Sequence, residues 1–218
     1  MAKKKIITEE QIIDLYMDYV LEHDQQPKTV YAFAKASNFE EQKFYEFFAS
    51  FQGLEAHIFK AFFDNTLKVL QVSENYDSFD ARTKLLSFYF TFFENLTANR
   101  SFVLFALNQH QNKLKNLKSL TKLRQEFLGY ISSLDIETLE TKQEKIDKFQ
   151  EKGLQESAWV QLLITLKFWM EDDSSGFEKT DIFIEKSINT TFDFLDTAPL
   201  KSLFDLGKFL FKEKVQMK

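Results

Sequence analysis

Breakers of regular structure are scarce in this chain: 5 Gly and 2 Pro are spread over 218 residues, and strand-like alternation of apolar and polar side chains is rare. Glycine loosens a helix through backbone entropy and proline removes a donor. Their scarcity leaves long helices joined by short polar turns as the architecture open to the chain. With 44% hydrophobic residues it can bury a substantial core in one or two tightly associated domains, and the fold class predicted is all-α.

Caps and periodicity predict about ten helices. Thr8 to Gln11 forms a T-x-x-Q capping box that starts the first, which runs to His23. Ser50 opens a longer helix through Leu54, Ile58, Phe62 and Leu70, and Asn75 to Asp80 is a polar joint in which Asp77 is the expected cap of the next helix. Leu85 to Leu96, LLSFYFTFFENL, is apolar on nearly every side, as in a helix surrounded by protein or lining a cavity. Phe102 to Leu107 continues in that style, and Leu114 to Leu134 keeps a Leu/Phe stripe. Lys142 to Lys152 reads as a charged, solvated helix or hinge that Gly153 ends. Leu154 to Met170 and Phe177 to Leu195 make a hairpin across the turn Glu171 to Gly176, and Pro199 starts a last helix to about Val215.

Residues Thr29 to Leu54 carry the most specific pattern. Val30, Phe33 and Ala34 share one face of a short helix, Ser37 and Asn38 supply a turn for which Asn tolerates left-handed backbone, and Glu40 to Phe48 forms a second helix with Phe44, Phe47 and Phe48 inward and Lys43 and Tyr45 outward. That is a helix-turn-helix, whose outward face would enter a major groove in a DNA-binding unit. The pattern Thr29-Val30, Phe33-Ala34, Phe39, Phe44-Tyr45, Phe48, Ser50 and Leu54 resembles the N-terminal domain of the tetracycline-repressor (TetR) family of bacterial transcriptional regulators. The resemblance implies a cytoplasmic homodimeric repressor. Residues 1–50 would form its DNA-binding domain, and residues 51–218 a helical ligand-binding and dimerisation domain. Double-stranded operator DNA is the expected partner, with Lys3, Lys4 and Lys5 as an N-terminal arm and Thr29, Lys43 and Tyr45 as contacts. Residues 1–60 nevertheless hold 7 Lys against 10 Asp and Glu, a net charge of −3, so any DNA contact has to be won locally and not by a basic field.

The hairpin carries a second resemblance. Leu163 to Met170, Asp172-Asp173-Ser174 and Thr180 to Ile184 are similar to the C-terminal region of the lipid-binding accessory protein of coenzyme Q biosynthesis, which shares the TetR fold without a repressor role. This keeps open the alternative of a TetR-fold lipid- or isoprenoid-binding protein that has lost DNA binding. In TetR relatives the two late helices pair with their copies in a four-helix seam. Trp159, Leu162, Leu166, Trp169, Phe183, Ile188 and Phe192 are the expected residues of that seam or its supporting core.

Phenylalanine is over-represented, at 26 of 218 residues, which suits either a dense aromatic core or a rigid cavity for an apolar small molecule or lipid. Phe88, Phe92, Phe105, Phe127 and Phe168 are the candidate ligand contacts. The last helix is amphipathic and basic, a pattern that can touch a membrane peripherally and more often covers a protein's own core.

Other chemistries find little support. The chain has 0 Cys, which excludes disulfides, thiol catalysis and cysteine zinc sites and suits a reducing compartment. His23, His57 and His110 are isolated, and no H-x-x-x-H, P-loop, G-x-S-x-G or G-x-G-x-x-G occurs, so neither catalysis, nor a cofactor, nor a metal is expected. Glu171 to Gly176 lacks the spacing of a calcium loop. No apolar h-region follows Lys3-Lys4-Lys5, so a secretory leader is not expected, and no apolar run is long enough to span a bilayer.

Overall fold

The computed structural model describes residues 7–109, 116–136 and 144–195, which are helical with short turns and contain no strand. The helices are α1 (Glu9–His23), α2 (Val30–Ala36), α3 (Glu41–Phe47), α4 (Phe51–Val72), α5 (Ala81–Ala98), α6 (Arg100–Asn108), α7 (Thr121–Ser133), α8 (Glu144–Glu171) and α9 (Glu178–Leu195). Single 3-10 turns lie at Tyr76–Ser78, Leu117–Leu120 and Ser175–Phe177. The Lys3-Lys4-Lys5 arm, His110 and the expected last helix lie outside the described residues. Two compact units form, one within residues 1–68 and 92–126, the other within 69–91 and 127–218.

The first unit is built on aromatic rings. α1 starts where expected: the Thr8 hydroxyl accepts from Gln11 N at 3.3 Å and Gln11 Oε1 accepts from Thr8 N at 3.2 Å. Ile12, Tyr16 and Val20, four residues apart, are fully buried along one face of α1. Against them stand Phe33, Phe44, Phe51 and Phe102, in edge-on and stacked pairs with centroids 5.3–6.5 Å apart. Burying each such ring contributes roughly 1.5–3 kcal/mol, and its shape fixes the angle at which the short helices cross.

In the second unit, α8 and α9 form the hairpin. Its corner is stapled by Asp172, whose Oδ1 accepts from Ser174 N (2.9 Å) and Ser174 Oγ (2.6 Å), and whose Oδ2 accepts from Thr180 N (2.9 Å) and Thr180 Oγ1 (2.6 Å). Burial raises the Asp172 pKa, but those four hydrogen bonds outweigh it and hold the carboxyl well below the usual carboxylate range. Gly176 (φ 64°) and Phe177 (φ 62°) are left-handed here; glycine adopts that geometry freely, and the phenylalanine is held in it by the staple on either side. A second aromatic group, Phe88, Phe127, Tyr130 and Trp159, has centroids 4.9–6.5 Å apart. Tyr76 and Tyr130 share a hydrogen bond of 2.8 Å, and Tyr130 also donates to the Lys84 carbonyl at 3.1 Å.

Two expected boundaries are corrected. Gly153 does not end a helix: it lies inside α8, which runs unbroken for 28 residues. A single glycine costs a helix about 1 kcal/mol, too little by itself to break one of 28 residues. The cap of α5 is Asp80 and not Asp77, because Asp80 Oδ1 accepts from Thr83 N at 2.8 Å whereas Asp77 falls within the 3-10 turn. The segment Leu85 to Leu96 also has a wet flank, since Phe90 and Glu94, one turn apart, are exposed.

Candidate functional site

The α2–α3 pair is assembled from local signals. Thr29 Oγ1 accepts from Ala32 N at 3.0 Å and caps α2, so this hydroxyl is occupied by the helix it begins. The end of α2 is a Schellman turn: Phe39 N donates to Ala34 O at 3.0 Å, Asn38 N to Lys35 O at 3.4 Å, and Asn38 takes φ 57°. Phe39 closes the turn edge-on against Phe33 at 5.3 Å. α3 then leaves with Phe44 fully buried and Phe48 nearly so, while Phe47 is half-buried. α4 begins under the cap of Ser50, whose Oγ accepts from Gly53 N at 3.1 Å.

What this scaffold holds outward is aromatic and mixed in charge. Tyr45 on α3 is 54% exposed, and Tyr31 on α2, which sequence reasoning did not single out, is 60% exposed. Two phenols on adjacent short helices can each donate to a phosphate oxygen. Lys43 is on the same helix, but its Nζ is bound by both Glu46 oxygens, at 2.9 and 2.8 Å, leaving its charge locally balanced. Glu40 is exposed at the N-cap without a side-chain cap bond, and Glu41 begins the helix.

Behind this face lies a polar cluster that no motif announced. Glu55 of α4 is 3% exposed and accepts from Tyr16 Oη (2.6 Å), Gln26 Nε2 (3.4 Å), Gln109 Nε2 (2.6 Å) and Ser119 Oγ (2.9 Å). One carboxyl group thus ties α1, the α1–α2 loop, α4, the end of α6 and the turn before α7. Burial pushes the Tyr16 phenol up, and the neighbouring Glu55 carboxylate and their hydrogen bond push it further. Two residues along α4, His57 Nε2 meets Lys122 Nζ, and His57 Nδ1 is buried without a hydrogen-bond partner among the described residues. Burial first, and the Lys122 charge second, hold the His57 pKa below its ordinary value. His23 bonds Tyr19 O at 2.8 Å at the end of α1, and no cluster of metal-ligating side chains occurs among the described residues.

The ligand candidates are placed as follows. In the first unit, Phe92 is 1% exposed and Phe105 is half-buried; in the second, Phe88 and Phe127 are fully buried inside the aromatic group, and Phe168 is 36% exposed. Phe88 and Phe127, 5.5 Å apart, fill space with each other.

Of the seam candidates, Trp159, Leu162, Leu166, Trp169, Ile188 and Phe192 are all buried within their own chain. The faces of α8 and α9 turned to solvent carry a neighbouring set instead, with Val160 at 52%, Ile164 at 53% and Ile182 at 51% exposure, beside Phe168 stacked on half-buried Phe183 at 4.7 Å. Between them run a half-enclosed cleft of about 310 Å³ and an open groove of about 590 Å³, which share Phe183 and Ser187 in their walls. Among the described residues no helix is long and apolar enough to cross a membrane.

A family model described as Tetracyclin repressor-like, C-terminal domain, matches residues 84–210, more than half of the chain. No curated protein matches it.

Proposed function

The chain belongs to the tetracyclin repressor-like family through its C-terminal domain, and from that premise we propose that it is a homodimeric transcriptional regulator, holding operator DNA with α2 and α3 and answering to an apolar small molecule. The observation that carries the reading is the head: a Schellman turn at Asn38 and the ring cluster of buried Phe33 and Phe44 with half-buried Phe51 hold Tyr45 and Lys43 on the outer side of a seven-residue helix, with Tyr31 exposed beside them on α2. A rigid scaffold presenting polar side chains on a short helix suits docking in a major groove. Dimerisation is supported by the apolar row Val160, Ile164 and Phe168, which runs about 12 Å along α8 and stays wet in one copy. The effector draws its support from the half-enclosed cleft of about 310 Å³ whose walls include Leu85, Ile131, Leu154 and Ile164.

A specific observation also favours a second reading, a lipid-binding member of the same fold without operator recognition. Lys43 is bound to Glu46 and flanked by Glu40 and Glu41, so the helix that would face phosphates carries more negative than positive charge.

A gel shift against the promoter nearest the gene, repeated at several salt concentrations, separates the two. Saturable, sequence-dependent binding is the outcome expected for a regulator, and no binding at low salt transfers the assignment to the lipid reading. Mass spectrometry of co-purified lipid tests the apolar guest in both cases.

A further inference from the structure

The half-enclosed cleft of the second unit is bounded by α5, α7, α8 and α9, and among the described residues no Lys, Arg, His, Asp or Glu lines it. Leu85, Ile131, Leu154 and Phe192 are among its apolar walls. Along α8 it reaches from Leu154 to Ile164, about 15 Å of helix. A volume of about 310 Å³ drawn out over that length suits an extended chain.

The cations nearby are engaged elsewhere or line another surface. Arg82, whose guanidinium lies 5.4 Å from the Phe192 ring centre, holds Asp193 at 2.8 Å. Lys179 holds Asp173 at 2.7 Å, and it and the exposed Lys186 line the open groove and not the cleft. An anionic head drawn into the cleft would lose its water without gaining a cation, a cost that no single hydrogen bond offsets. The guest that fits is uncharged.

The polar side chains of the wall say what else the guest carries. Ser157 Oγ donates to Gly153 O at 2.7 Å, Ser187 Oγ to Ile184 O at 3.3 Å and Thr191 Oγ1 to Ser187 O at 2.9 Å, so each hydroxyl proton is spent within its own helix. Gln161 differs. Its Nε2 donates to Ser187 Oγ at 3.3 Å and its Oε1 lies 3.3 Å from Thr191 Oγ1, whereas a primary amide has two N–H donors. With the amide turned either way, one N–H serves a neighbouring hydroxyl and the other is left to the cleft that Gln161 lines. An apolar wall with one spare donor matches an apolar body with one acceptor.

We infer that the cleft takes an uncharged, extended amphiphile, an alkyl or isoprenoid chain bearing a carbonyl whose oxygen accepts from Gln161 Nε2. This rests on the effector reading above and goes further by naming the charge and the head group of the guest. An ionised fatty acid is the guest it rejects.

Three probes of similar chain length test this on the full chain: methyl octyl ketone, decane and decanoate, titrated by tryptophan fluorescence at about pH 8, where a carboxylic acid is ionised. The ketone is expected to bind saturably, and decanoate at least about tenfold more weakly. Gln161→Leu should weaken the ketone about fivefold, the loss of one neutral hydrogen bond, and leave decane unchanged. A change of cleft shape would instead move both probes. Gln161→Glu keeps the size of the side chain, removes its N–H donors and should weaken the ketone as well. Decanoate binding as tightly as the ketone overturns the inference, and so does a ketone affinity that ignores both substitutions or moves in step with decane. Failure of the effector reading looks different, and the inference falls with it: none of the three probes saturates, or Ala158→Trp, which fills the cleft, leaves ketone binding intact.

Discussion

Lys43 Nζ lies 2.9 and 2.8 Å from the two carboxylate oxygens of Glu46, one turn away on α3, so the single basic residue of that helix is already engaged within its own chain. Both side chains are well exposed, at 38% and 43%, and such a pair is worth about 0–1 kcal/mol. DNA phosphates could compete for Lys43 at little cost. Glu46→Gln is therefore expected to tighten binding to the operator a few-fold and to steepen the salt dependence by about one unit of log K against log salt. Lys43→Ala should weaken binding and flatten that slope by a similar amount. Fluorescence anisotropy across a salt series reads both; equal slopes in all three proteins would remove Lys43 from the interface.

Glu55 tests how the first unit is held together. Replacing it with Leu leaves four donors, on Tyr16, Gln26, Gln109 and Ser119, without their acceptor. A cost of about 3 kcal/mol in urea unfolding is expected, since an orphaned buried polar group costs about 1–3 kcal/mol and the helices relax only in part. Tyr16→Phe removes one donor from that carboxyl and should cost about 1 kcal/mol. Equal losses in the two variants would mean that the Tyr16–Glu55 hydrogen bond alone, and not the four-donor cluster on the shared carboxyl, carries the effect.

His57 makes a pH-dependent contribution whose sign follows from its surroundings. Burial and Lys122 favour the neutral ring in the folded protein, so the unfolded chain binds more protons and stability falls as pH drops through about 6.5, the ordinary histidine value. Glu9 opposes this and Lys60 reinforces it. His57→Gln should flatten the stability profile between about pH 7 and pH 5. A profile parallel to that of the unsubstituted protein would show that His57 makes no such contribution.

Asp172 acts at lower pH and with the opposite charge. Its folded pKa is depressed, so the stability it contributes is present above the unfolded value of about 3.9 and is lost as pH falls through the folded one. Asp172→Asn keeps one acceptor and loses the charge. It is expected to cost about 1–3 kcal/mol near neutral pH, with the difference from the unsubstituted protein shrinking below about pH 4. Guanidinium titrations at several pH values measure this. A constant difference down to about pH 2 would mean that Asp172 acts by shape alone.

The local features were legible because their causes are local. The Thr8–Gln11 capping box, the left-handed Asn38, the Ser50 cap and the inward Phe44 each depend on residues within a few positions, which is the range over which backbone hydrogen bonds and turn chemistry operate. Gly153 and Asp77 misled for a complementary reason. A weak breaker did not interrupt the 28 residues of α8, and a good capping residue lost to Asp80, three places on, which stood at the actual start of α5.

By itself, then, the order of residues determined an all-helical chain, the short aromatic helices near its start and the places where most helices begin. Only the tertiary structure decided which way α8 faces. On α8, residues 159, 162, 166 and 169 and residues 160, 164 and 168 are both apolar stripes at helical spacing, and the first turns inward while the second meets water. Neighbouring stripes differ by about 100° of rotation around the axis, and no property of one helix chooses between them. The shape of what lies beneath makes that choice, as it does in bringing Glu55 together with donors up to 64 residues away.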